Sequence, residues 1–198
     1  MKNKSKKAAK RAFRVPPLLI AIAVLAVLVV VPWLLLAPDS SKPEMGRSLP
    51  TEPVWTPLVS QEYGFRVSLP APAKNMSPGG GLGLGGMWAA MYTGGTFMVQ
   101  VSRCPEKLCT QAPESVLEGA SKGALEGVGG TMLSEKKLQL PCPDGTCSGL
   151  DFEATAPQGL RISGRLFITH DKIFQLLGTQ ASGSDEVFRK VVDSFSFL

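Results

Sequence analysis

Four cysteines, one histidine and two closely spaced carboxylates are the residues of this chain whose types and spacing could do chemistry. Cys104 and Cys109 form one C-x4-C pair, and Cys142 and Cys147 form a second. Four thiolates in two clusters can bind zinc, although this spacing is at the loose edge of usual zinc pairs. In an oxidising compartment the same thiols become disulfides. Redox catalysts place C-x-x-C at a helix start, where the dipole lowers a thiol pKa, and neither pair has that spacing. Four thiols allow three connectivities. Local closure is favoured, Cys104 with Cys109 and Cys142 with Cys147. The residues Pro143-Asp144-Gly145 make a tight reversal that brings their flanking cysteines toward the ~5.5 Å Cα separation a disulfide needs.

The other candidates are weaker. His170 is the only histidine. A nucleophilic triad or metal site needs it beside a specific Ser, Cys or carboxylate, and its neighbour Asp171 shares the same apparent turn, where solvation accounts for both. Asp151 and Glu153 alternate to one face of a strand. They could pair for acid/base work or bind a cation, and an exposed strand face is the simpler account. Gly81-Leu82-Gly83-Leu84-Gly85-Gly86 contains G-x-G-x-x-G. A dinucleotide site needs those glycines between a strand and a helix. Here Pro78 precedes and a strand-like segment follows, so a loop is expected. No catalytic, cofactor-binding or metal-ligating residue is assigned, and no cofactor is expected.

The charge is distributed unevenly. Residues 1–38 carry seven basic groups and no acid, and the remainder carries 14 Lys+Arg against 16 Asp+Glu, so 14 − 16 = −2. The basic balance belongs to the tail, and a mildly acidic folded part argues against nucleic-acid binding. Val15 to Ala37 is a run of 23 uncharged residues with no polar stripe. About 20 suffice for a helix to cross a ~30 Å hydrocarbon core. Pro16 and Pro17 suit a first turn, Trp33 suits an interface, and the Lys/Arg flank fixes the N-terminal side in the cytoplasm. The expectation is a single-pass inner or plasma membrane protein: basic cytoplasmic tail 1–14, transmembrane helix 15–37, extracytoplasmic domain beyond. The alternative is a cleaved signal peptide. Against it stand the length of the run and the poor site Leu35-Leu36-Ala37-Pro38.

Residues 38–57 are rich in proline and polar groups and read as an extended linker. The domain, 58–198, then opens with a strand over Tyr63–Pro70, alternating apolar and polar side chains. Met87–Tyr92 and Thr96–Arg103 form a hairpin across Thr93-Gly94-Gly95. Pro113–Gly127 is a helix with Val116, Ala120 and Ala124 on its apolar stripe, joined by Leu117 and Leu125. Strands follow at Met132–Leu140, Cys147–Thr155, Leu160–Thr169 and Ile173–Thr179. Ser184 caps a last helix over Asp185–Val192, and Phe195, Phe197 and Leu198 require burial. This order predicts an α+β domain, a mainly antiparallel sheet covered by helices.

Some of these segments carry a family likeness. Tyr63-Gly64-Phe65-Arg66-Val67-Ser68-Leu69-Pro70 resembles the opening strand of PsbP/Mog1-like α/β/α domains. Gly164–Ile168, then Lys172–Leu176, then Phe188 and Asp193-Ser194-Phe195 are similar to the closing strands and helix, in that order. The resemblance covers roughly residues 60–198 and speaks to fold more than function. It implies a domain that binds or scaffolds proteins and maps no catalytic motif onto this chain. The two cysteine pairs and the glycine loop depart from the pattern. The functional expectation is a non-catalytic binding or scaffolding module of the cell envelope, its partners the lipid bilayer through residues 15–37 and an envelope protein or other envelope component. The rival is an exported enzyme, a hydrolase or thiol-redox protein.

Overall fold

The computed structural model describes residues 49–77, 84–143, 145–180 and 185–198. The basic tail, the apolar run 15–37, most of the glycine loop, Asp144 and Ser184 lie outside them. Among the described residues no helix is long and apolar enough to cross a membrane.

Among the described residues ten strands form two sheets. The larger has seven strands in the order β3-β4-β5-β9-β8-β7-β6, and the smaller has three, β1-β2-β10. Every pairing is antiparallel. The strands are β1 Thr56–Ser60, β2 Phe65–Leu69, β3 Lys74–Asn75, β4 Leu84–Tyr92, β5 Gly95–Arg103, β6 Thr131–Cys142, β7 Gly145–Thr155, β8 Arg161–Ile168, β9 Lys172–Gln180 and β10 Ser196–Phe197. The helices are α1 Glu106–Gln111, α2 Pro113–Gly127 and α3 Glu186–Asp193.

The large sheet buries both faces, and each face has its own core. On one, α1 and α2 cover Leu150, Phe152, Ala154, Ile162, Leu166 and Ile168 with Leu117, Ala120 and Leu125. On the other, the small sheet and α3 cover Phe97, Val99, Val101, Phe174 and Leu176 with Phe65, Val67, Leu69 and Val191. A period of two along each strand sends alternate side chains to opposite cores. A single sheet covered by helices is therefore corrected: half of one cover is a second sheet. The reason is that Phe65, Val67 and Leu69 line one side of a five-residue strand whose register partners are β1 and β10. They close over the first sheet instead of joining its edge.

Local chemistry accounts for most elements. Pro113 starts α2, where a missing N–H costs nothing, and Glu114 sits at the positive end of its dipole. Its buried stripe is Leu117, Ala120, Ser121, Ala124 and Leu125, while Val116 is only half-buried. The stripe is thus centred one position later than its β-branched residue suggests. α1 and the short strands β1, β3 and β10 have too few residues for a periodic signal. Leu198 is a further correction: it stays about half exposed. Its backbone N–H donates to Gly64 O at 3.1 Å, and the side chain projects past the last strand. Gly64 itself has φ +71°, so the β1–β2 turn needs a residue without a Cβ.

Gly164 meets a different demand. It lies opposite Phe152 in the β7–β8 register. A Cβ there would stand 2.2 Å from the Phe152 ring and 2.9 Å from Leu177. Gly119, on α2, has open space around it. Gly164→Ala is therefore expected to destabilise by about 1–3 kcal/mol through overpacking. Gly119→Ala should stabilise by about 0.5–1 kcal/mol through helix propensity. Urea unfolding of both variants checks the pair, and equal midpoints would contradict the packing described.

Candidate functional site

The large sheet carries charged side chains on both faces: Lys137 of β6 meets Glu114 and Glu118 of α2 on the helix side, and a larger charged area lies on the other. On the core face lined by Val99 and Leu176, the strands β6, β7 and β8 extend past the small sheet and present polar side chains to solvent. Lys136, Asp151 and Arg165 stand in one cross-strand row, and Ser134, Glu153 and the buried Ser163 in the next. Arg165 Nε and Nη2 each donate at 2.6 Å to the two oxygens of Asp151. Arg161 Nη2 donates to Glu153 Oε2 at 2.9 Å and lies 3.7 Å from Asp185 Oδ2, at the start of α3. The Glu153 hydrogen bond, then the Asp185 charge, hold the Arg161 guanidinium above its ordinary pKa.

This arrangement decides between the two readings of Asp151 and Glu153. They do share a strand face, but each carboxylate is occupied by an arginine. A forked guanidinium uses both oxygens of Asp151, leaving neither oxygen without a partner. Among the described residues no group of three or more His, Cys, Asp or Glu side chains is placed to hold a metal ion. What sequence reading misses is the arginine half of the constellation. Arg161 and Arg165 share one face of β8 four residues apart, and only the strand pairing shows that they meet the acids of β7.

His170 lies in the β8–β9 turn, exposed, with Nε2 3.0 Å from Glu106 Oε1 on α1. It is remote in the register from Asp151 and Glu153 and brings no nucleophile with it. The glycine segment does not open a helix. Its described end, Leu84 onward, belongs to β4, where Gly85 and Gly86 pack against Tyr63. The strand–turn–helix setting of a dinucleotide loop is absent among the described residues.

The cysteines are bonded locally, Cys104 to Cys109 and Cys142 to Cys147, with Cα separations of 6.1 and 5.8 Å. All four thiols are thereby consumed, which removes them as zinc ligands. The first bridge ties the end of β5 to α1, and both its cysteines are buried in the helix-covered core. The second clasps the β6–β7 hairpin near its tip. Both rings span the same five-residue separation. The chain-entropy model then assigns each about 2 kcal/mol. Replacing Cys104 and Cys109 together with Ser should cost more than that, because it also places two polar hydroxyls in an apolar core. The Cys142/Cys147 double Ser variant should cost about 2 kcal/mol or less. Denaturant midpoints, with amide exchange in α1 as a local readout, check the ordering.

No protein-family profile and no curated protein matches this sequence. Solved structures do. Cyanobacterial PsbP (CyanoP) from Synechocystis sp. PCC 6803 superimposes with a TM-score of 0.50 at 11% identity, over 81% of this chain and 99% of that one. A Bacteroides thetaiotaomicron VPI-5482 protein aligns at TM-score 0.38 and 14% identity, over 72% of this chain and 48% of that one. At such identities the first match speaks for architecture alone. Two antiparallel sheets with their three helices give this chain a PsbP-like fold.

Proposed function

We propose that the chain is a membrane-tethered, extracytoplasmic binding module, and that the charged face of β6, β7 and β8 receives a protein partner. The observation that carries this reading is the row of paired arginines. Arg165 and Arg161 are each bonded to a carboxylate on the neighbouring strand, and the forked, half-buried Arg165 is the more firmly fixed before any partner arrives. Preorganised charged side chains on a flat sheet lose little entropy on docking and discriminate by charge pattern. The face carries both signs, which fits a protein surface better than a polyanion. The apolar run 15–37 and its basic flank support the tether, and two disulfides suit an oxidising compartment.

Two experiments test the reading. A reporter active only outside the cytoplasm, fused after Leu198, should give signal, and carbonate-washed membranes should retain the chain. For binding, full-length protein in detergent serves as bait against envelope extract, beside a Lys136→Glu/Arg161→Gln variant of unchanged melting temperature. The same partner should be captured by the parent and lost, at least tenfold, by the variant. Equal capture by both would remove the charged face from the proposal. Substrate turnover abolished by His170→Ala would favour the exported-enzyme alternative instead.

A further inference from the structure

The first described residues of the chain do not hang free. Thr93, in the β4–β5 turn, donates from its backbone N–H to Pro50 O at 3.0 Å. Its hydroxyl donates to the same oxygen at 3.0 Å. Val54 N–H then donates to Pro70 O at 2.9 Å, just past the end of β2. The segment entering the domain is therefore fastened to one end of the large sheet before β1 begins.

That end can be followed across the strands. Tyr92 pairs with Gly95, Gly95 with Gln180, Gln180 with Arg161, Arg161 with Thr155, and Thr155 with Thr131. Along this row lie the β4–β5 turn, the end of α2 at Gly127 and the short 3-10 turn Pro157–Gly159. The opposite end carries the β1–β2 turn, α1, the β8–β9 turn and the tip of the β6–β7 hairpin. Both disulfides are at this opposite end: Cys104 follows β5, and its N–H donates to Asp171 O at 2.7 Å, while Cys142 and Cys147 flank the hairpin tip. Strands of nine to eleven residues separate the two ends by about 30 Å.

We infer that the domain stands on the membrane by its Thr93 end, with the disulfide-clasped end pointing away from the bilayer. The inference rests on the proposed retention of residues 15–37 in the membrane. Eleven residues separate Ala37 from Leu49, and they span at most about 40 Å when fully stretched. The fastening to Thr93 makes that end of the sheet the one at which the tether enters the domain. Leu49 and Val54, both more than half-exposed or close to it, lie at the held end. The face on β6, β7 and β8 contains the strand direction, so in this stance it looks along the membrane plane and not toward lipid. Both disulfides clasp loops at the outward end.

Full-length protein reconstituted in vesicles with acceptor-labelled headgroups tests the stance. One donor fluorophore is placed by Glu126→Cys, on exposed helix at the held end, and another by Gln61→Cys, in the exposed β1–β2 turn at the far end. The native cysteines, being bonded, do not react. Energy transfer to the headgroups should be severalfold greater from position 126 than from position 61, with circular dichroism unchanged in both. Equal transfer, or greater transfer from position 61, in protein that floats with the vesicles would overturn the inference. Protein that does not float with vesicles, or a mature form starting near Pro38 in cells, would instead overturn the retained anchor.

Discussion

The structure depends on a cluster of phenylalanine rings drawn from three distant parts of the chain. Phe65 comes from β2, Phe167 and Phe174 from the β8–β9 hairpin, and Phe195 and Phe197 from the last residues. Phe65 stacks on Phe195 at 5.7 Å between ring centroids, and Phe167 on Phe174 at 5.0 Å. Phe195 meets Phe167 edge-on at 4.9 Å, and Phe197 meets Phe174 edge-on at 5.6 Å. Aromatic pairs add roughly 0.5–1.5 kcal/mol each beyond the area they bury. Here they also do something topological. The small sheet has only twelve residues in its three strands. Too short to persist alone, it exists because these rings hold it against the large one.

Hydrogen bonds then set the register that the rings leave open. Ser194 Oγ accepts from Ser68 N–H at 2.8 Å and donates to Val191 O at 2.7 Å, joining the end of α3 to β2. Arg66 Nε donates to Ser196 Oγ at 2.8 Å on the outer side of the same sheet. A cluster of rings tolerates sliding, whereas these bonds do not. The serines and phenylalanines of Ser194-Phe195-Ser196-Phe197 therefore divide the work between position and burial.

This division explains which parts of the fold were legible in the sequence. The segments that resemble PsbP/Mog1-like domains, around Tyr63–Pro70, Lys172–Leu176 and Asp193–Phe195, are those that build the ring cluster and its serine register. Helix α2 was readable to the residue at both ends, because Pro113 and the glycines after Glu126 mark them. Strands β6 to β9 were readable because each has turn residues at its limits. The second sheet was not readable. Its strand β10 is two residues long, and β1 lies in text whose prolines suggest a linker. The charged face was half readable: alternation places Asp151 and Glu153 together, but their meeting with Arg165 and Arg161 is a matter of strand partners, which one sequence does not state.

The pairing has a consequence for chemistry as well as position. Both carboxylates of β7 are met by an arginine of β8 at hydrogen-bond distance. Arg165 and Asp151 keep only 24% and 33% of their side-chain surface, so water screens that pair less than it screens Arg161 and Glu153, at 44% and 40%. The inner pair thus fixes geometry, while the outer pair stays accessible and can exchange one partner for another. For the proposed protein partner, a graded face of this kind would offer a rigid centre to match and a softer rim to adjust, without any group left charged and buried alone.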